Sequence, residues 1–222
     1  FRVWSLACEH NFRNVQGFWD GWSGGPSQEA INLVSSYKEF CDEYYNQIGV
    51  EDQFTPSCHP WLIGFFPAVD VVGLKAGYTD AGIKSSIPPK ALVKLSIRSA
   101  FNQSTIKTVE SLKNFFKSNL RSGYSMRTIS EGASCDPYLV SHDHPTIRTV
   151  AEIMKRVTGN NVIFNWSGGS LPIVKTLGEL DILPIVFGFG LPDDNIHAPN
   201  ESFKLSQMLK GFEVVKNIIM EL

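Results

Sequence analysis

Apolar and polar positions change period several times along the chain, and each change predicts an element. Residues 2–8 (Arg-Val-Trp-Ser-Leu-Ala-Cys) alternate and predict a strand. Residues 10–26, rich in Gly, Asn and Trp, predict a loop. Ala30, Leu33, Val34, Tyr37, Cys41 and Tyr44 then recur at helical spacing, and Pro26 suits a first turn, so 27–46 reads as a helix. Residues 47–67 read as irregular. Residues 68–76 (Ala-Val-Asp-Val-Val-Gly-Leu-Lys-Ala) predict a strand, and Gly77 to Pro89 a turn-rich connection. Ala91, Val93, Leu95 and Ile97 alternate with Leu92, Lys94, Ser96 and Arg98, which predicts a strand with one apolar face and with Arg98 on the other. Ile106, Val109, Leu112, Phe116 and Leu120 mark an amphipathic helix, Gly123 follows it, and 124–131 predicts a further strand.

From residue 136 the pattern changes. Ile147, Val150, Ala151, Met154 and Val157 mark a helix that stops at Gly159. Val162–Phe164 predicts a short strand, and a helix is expected from near Ser170 to Gly178. Ile182–Phe187 predicts an apolar strand, with Pro184 near its start or at an edge. Leu205, Met208, Leu209, Phe212, Val215 and Ile219 mark a last amphipathic helix.

The order over 1–131 is β-α-β-β-α-β, that of a ferredoxin-like sandwich. The remainder alternates helix and strand, which favours a mostly parallel sheet. The fold class expected is therefore α/β, with an α+β domain at 1–132 and an α/β segment at 133–222.

Composition narrows the function classes. Apolar residues make up 43% of the 222, enough for a real core. A net charge of −2 gives no electrostatic grip on nucleic acid or on an anionic membrane. No apolar run reaches the length of a spanning helix, and no signal-peptide pattern opens the chain. Cys8, Cys41, Cys58 and Cys135 match no zinc-finger spacing and read as free thiols, which suits a cytoplasmic setting. The first residue is Phe1 rather than Met, so the sequence reads as an excerpt or a processed chain.

Three stretches carry candidate chemistry. Gly188-Phe-Gly-Leu-Pro-Asp-Asp-Asn-Ile-His-Ala-Pro-Asn-Glu201 follows an apolar strand, where ligand sites of open α/β sheets gather. It holds an imidazole and several acids, and neutral imidazole is a good zinc ligand. The competing reading is a polar loop whose Asn200 caps the last helix. Ser167-Gly-Gly-Ser-Leu-Pro172 lets backbone approach a ligand at the start of a helix, or is an ordinary loop. Lys84-Ser-Ser-Ile-Pro88 precedes the strand ending in Arg98, whose guanidinium can hold a carboxylate through two parallel bonds or simply face solvent.

Taken in order, these stretches resemble the cocatalytic-zinc metallopeptidases that include carnosinase-like dipeptidases, acetylornithine deacetylase and succinyl-diaminopimelate desuccinylase. The residues that carry the resemblance are Val72-Gly-Leu-Lys-Ala-Gly-Tyr-Thr-Asp-Ala-Gly-Ile-Lys-Ser-Ser-Ile-Pro-Pro-Lys-Ala91, Leu95-Ser-Ile-Arg98, Gly168-Gly-Ser-Leu-Pro-Ile173 and the 188–201 stretch. The resemblance implies that His197 is a zinc ligand and that Arg98 grips a substrate carboxylate. It implies that Ser85, Gly169 and Ser170 line the same subsite, and that Asp193, Asp194, Asn200 and Glu201 shape the loop around His197. It implies a lid at 1–132 that forms homodimers, and two divalent ions, of which zinc, cobalt and manganese accept similar ligands.

The family's His-x-Asp motif, bridging Asp, Glu-Glu pair and further acid have no counterpart here, so no catalytic residue is assigned. Trp22-Ser23-Gly24 stands where the family's lid carries His-Ser-Gly. The function expected is metal-dependent hydrolysis of an amide or peptide bond in a small carboxylate-bearing substrate, with this chain an incomplete half. The alternative is a non-catalytic binding or dimerisation module. A phosphate-binding α/β protein finds no G-x-G-x-x-G or Walker pattern to support it.

Overall fold

A computed structural model describes residues 15–18, 20–21, 27–34, 37–39, 42, 65–132, 134–167 and 171–222. The predicted strand 2–8, much of the second half of the predicted helix 27–46 and most of the irregular stretch 47–67 lie outside them, as do Trp22-Ser23-Gly24. The chain divides into two units. One comprises Phe1–Gly25, Gly64–Pro137 and Gly168–Pro172; the other comprises Pro26–Ile63, Tyr138–Ser167 and Ile173–Leu222.

In the first unit, β1 (Ala68–Ala76) pairs antiparallel with β2 (Ala91–Arg98), at the bounds the alternation predicts. Val69 stands opposite Ile97, so their side chains share one face. That face packs on Val15, Phe18 and Leu112, joined by Phe115 and Phe116. The ladder shifts register between Val71 and Gly73, a bulge that bends β1. Leu112, Phe115 and Phe116 come from α2 (Thr105–Ser118), the helix expected here.

The start of α2 is secured from outside the helix. Ser104 makes no side-chain cap, and the Thr105 amide instead donates to Asp136 Oδ1 at 2.7 Å. The Thr105 hydroxyl donates to the Cys135 carbonyl at 2.8 Å. One residue further back, buried Gln103 accepts from the Ala100 amide at 2.8 Å and donates to the Phe18 carbonyl at 2.7 Å, satisfying both ends of its amide. Gly21 has φ +82, and a Cβ there would meet the Asn102 carbonyl oxygen at 2.3 Å. Only glycine fits that close approach.

The expected strand at 124–131 does not form. Residues 125–132 have no regular secondary structure and pair with no strand among the described residues, and Lys113 Nζ contacts Glu131 Oε1 at 2.5 Å instead. Sequence alternation permits a strand, but a strand needs a neighbour at hydrogen-bonding distance.

In the second unit, Ser27 caps α1 (Gln28–Leu33) by accepting from the Ala30 amide at 3.1 Å. The helix α3 (Pro145–Thr158) begins with Pro145 and ends at Gly159, whose φ of 75 is the left-handed cap that the sequence predicts. α4 spans Pro172–Glu179 and α5 spans Leu205–Glu221. α3 and α5 pack together. Val150 and Ile153 of α3 and Val214 of α5 are buried, and Arg156 forms an ion pair with Glu221.

Two expectations change here. The predicted strands Val162–Phe164 and Ile182–Phe187 have no ladder: 161–165 and 183–190 have no regular secondary structure and make no backbone–backbone hydrogen bond among the described residues. The apolar stripe of α5 also faces outward, with Phe212 65% and Ile219 76% exposed, while Gly211 lies against the Phe189 ring and Val214 is buried. Amphipathic spacing predicts the helix; it does not say which face finds a partner.

Leu112 is 3% exposed and Ile106, on the same predicted stripe, is 66% exposed. Leu112→Ala should therefore cost roughly 2–4 kcal/mol by urea unfolding, and Ile106→Ala under about 0.5 kcal/mol.

Candidate functional site

The loop after residue 187 is held by one carboxylate. Leu191 opens a 3-10 turn, Pro192–Asp194. The Asp194 side chain reaches back, and its Oδ2 accepts from the Leu191 amide at 2.7 Å. The Asp194 amide donates to the Leu191 carbonyl at 3.1 Å, and its own carbonyl accepts from the Ser202 amide at 2.9 Å. Asp194 thus ties both ends of the stretch 191–202 together. It is 1% exposed, and its Oδ1 is buried without a hydrogen-bond partner among the described residues.

Between those ties the backbone turns three times through the left-handed region, at Asn195 (φ 54), His197 (φ 64) and Asn200 (φ 64). Asparagine tolerates that region better than most residues; histidine there is uncommon. The Ala198 amide closes a turn on the Asn195 carbonyl at 2.9 Å. The result presents His197 as an exposed ring with no hydrogen bond among the described residues. Glycine at 190 leaves room for the loop, since a Cβ there would press on Ile196 Cδ1 at 3.2 Å.

The other acids of the loop divide by role. Asp193 pairs with Lys204 at 2.8 Å. The Lys204 hydrogen bond holds the Asp193 carboxyl below the usual carboxylate range, and Asp193 in turn raises Lys204. Asn200 and Glu201 are exposed. Asn200 does not cap the last helix: the N-cap of α5 is Lys204, with no side-chain cap bond.

Arg98 ends β2 in the first unit, where its Nε lies 3.7 Å from Asp70 Oδ2. The pair is largely exposed, so its contribution to stability is small. Ser85 is exposed in the connection between β1 and β2, near Tyr78, whose ring sits under Lys84 Nζ at 4.2 Å. Gly169 and Ser170 lie outside the described residues.

One group escaped the sequence reading. Glu29, His142 and Asp143 offer ligand atoms that lie within 4.8 Å of one another. The visible signal was His142-Asp143-His144 just before Pro145, but Glu29 joins it only through the fold. Asp143 is also engaged by Arg148, which holds its carboxyl below the usual range. Exposed acids often stand together without an ion, and the group receives no role here.

The residues at His197 fail as a complete metal centre. Catalytic zinc takes about three protein ligands. Among the described residues His197 belongs to no group of three or more His, Cys, Asp or Glu side chains close enough to share an ion. The unpaired Asp194 oxygen suits a role behind a ligand, as an acceptor beside an imidazole, better than a ligand's role.

Asp194→Ala should raise amide exchange at Leu191 and Ser202 about tenfold, as expected for losing about 1–2 kcal/mol of local hydrogen bonding. Because the folded pKa of Asp193 is depressed, its stabilisation is present above the unfolded carboxylate value and is lost as pH falls through the depressed one. Lys204→Met should move the Asp193 carboxyl titration upward, read by carboxyl-carbon NMR.

Comparison with known proteins identifies the frame for this loop. The chain is 28% identical over 171 residues to the Cys-Gly metallodipeptidase of Schizosaccharomyces pombe, covering 74% of this chain and 34% of that protein. It is 21% identical over 206 residues to human Beta-Ala-His dipeptidase, covering 88% of this chain and 40% of that one. A metallo-carboxypeptidase structure from Sulfolobus solfataricus superposes with a TM-score of 0.77 at 24% identity, over 92% of this chain and 47% of that chain, and shows the shared fold. The chain therefore spans less than half the length of each of these relatives. Residues 21–221 match Peptidase family M20/M25/M40, and the chain belongs to that family.

Proposed function

We propose that this chain is part of an enzyme that hydrolyses an amide or peptide bond in a small substrate bearing a carboxylate, of dipeptidase, carboxypeptidase or deacylase type. The observation that carries the proposal is the exposed imidazole of His197, held on a loop that a buried Asp194 ties at both ends. A histidine in the left-handed region is uncommon, and a ring presented to solvent without a partner has its nitrogens available. Family membership supports reading that imidazole as a metal ligand.

Two divalent ions, zinc foremost, would supply water activation and carbonyl polarisation in the complete protein. The remaining roles belong to this chain's own side chains. Arg98 would grip the substrate carboxylate, exchanging its exposed 3.7 Å contact with Asp70 for two parallel bonds at little cost. Ser85, Gly169 and Ser170 would line the same subsite. Asp194 would sit behind His197 and orient it, while Asp193, Asn200 and Glu201 shape the loop. Residues 1–132 would form the lid and the contact of a cytoplasmic homodimer, and residues 133–222 part of the catalytic domain. The other ligands and the general base would come from polypeptide beyond these residues.

The lone donor at His197 also favours a second reading, a module that binds or dimerises without catalysis. The isolated 222-residue chain should lose zinc on dialysis at micromolar concentration and leave Cys-Gly and β-alanyl-histidine intact. Zinc retained at micromolar level, or turnover by this chain alone, would overturn its incompleteness. In a longer gene product loaded with metal, Arg98→Ala should raise KM about 10–100-fold with a smaller change in kcat. Absence of turnover by that loaded product would leave the binding module standing.

A further inference from the structure

The connection 77–90 joins strands whose last ladder pair is Ala76 with Ala91, so its two ends stand together. A link between paired strands usually takes about 2–5 residues. This one is far longer, has no regular secondary structure, and every residue in it is exposed. A long connection with its ends closed is usually functional. Exposed chain of this kind samples many shapes, and fixing one of them costs conformational entropy.

Among the described residues both side-chain ties within the connection run through Tyr78. Its hydroxyl donates to the Ala81 carbonyl at 2.9 Å, across a turn flanked by Gly77 and Gly82, both with positive φ. The face of its ring carries Lys84 Nζ at 4.2 Å from the centroid. A cation over an aromatic face is attracted by the ring quadrupole even at an exposed site. The first tie closes the turn after β1. The second brings the chain back onto that turn at the residue before Ser85.

We propose that Tyr78 is a positioning residue for substrate recognition, acting through Lys84 to hold the Lys84-Ser85 segment in the shape that meets the substrate. The inference rests on the proposed function, which gives Ser85 a place in the carboxylate subsite. Tyr78 itself need not touch the substrate. A segment ordered beforehand does not draw its ordering entropy from the binding energy, so the effect falls on affinity rather than on the chemical step.

The test uses the metal-loaded gene product that contains these residues, with Cys-Gly or β-alanyl-histidine as substrate. Tyr78→Leu and Lys84→Met should each raise KM about 2–5-fold, the range of an exposed cation–π contact, with kcat changed less than about twofold. The double variant should be no worse than the poorer single one, because both changes remove the same tie. Tyr78→Phe keeps the ring and should cost less than Tyr78→Leu. On the same protein, the Lys84 ε-methylene NMR signal, assigned by its loss in Lys84→Met, should lie upfield through the ring current and return to the free-lysine position in Tyr78→Leu. Five results overturn the proposal: KM unchanged in either single variant, effects that multiply in the double one, a Tyr78→Phe effect as large as that of Tyr78→Leu, a fall in kcat together with a lowered unfolding midpoint, or a Lys84 signal with no upfield displacement. Absence of turnover in the unsubstituted protein sinks the hydrolase reading and this inference with it. Normal turnover with KM untouched by the variants sinks this inference alone.

Discussion

Apolar side chains must be covered by something, and in this molecule that requirement is met on some faces and left open on others. The β1–β2 face and α2 enclose Val15, Phe18 and Leu112. α3 covers its inner stripe, with Val150 and Ile153 buried. The stripe of α5 is exposed among the described residues, as are Ile163 and Val186 in the irregular stretches before it. Burying a side chain such as Leu or Phe is worth about 1.5–3 kcal/mol, so an entire helix stripe left in water is a large unrealised term. In the proposed site, likewise, the exposed imidazole of His197 belongs to no cluster of three or more ligand side chains among the described residues.

The loop that carries His197 shows how local chemistry can be ordered ahead of its partners. A buried carboxylate closes the loop on itself through its side chain, its amide and its carbonyl. Left-handed residues then turn the chain tightly enough to expose one ring. None of this needs a metal to be present. A ligand already placed loses less entropy when an ion binds, which is the advantage of preorganisation. One Asp194 oxygen stays buried without a hydrogen-bond partner among the described residues.

Arg98 illustrates a different economy. Its strand position is set by the β1–β2 ladder, and Asp70 sits two residue pairs away on the same face. An exposed ion pair of this kind contributes little to stability, which suits the proposed use of Arg98 on a substrate carboxylate.

The helices were legible in the sequence because their stripes, Pro145 and Gly159 act locally, through spacing, a compatible φ and a left-handed cap. Strands β1 and β2 were legible because they are consecutive in the chain and pair with each other. The stretches at 124–131, 162–164 and 182–187 carry strand-like patterns, yet their state depends on neighbours that alternation cannot name. His197 stood out in the sequence by its surroundings, and the loop's anchor did not: among several acids in 193–201, only tertiary burial singles out Asp194 and leaves Asp193 to Lys204. Glu29 met His142 and Asp143 only through folding. Sequence by itself determined what is encoded over a few residues, namely helix stripes, caps and the family's motifs. Tertiary structure decided which faces are covered, which carboxylate is buried and which strands pair, because each of those depends on atoms far apart in the chain.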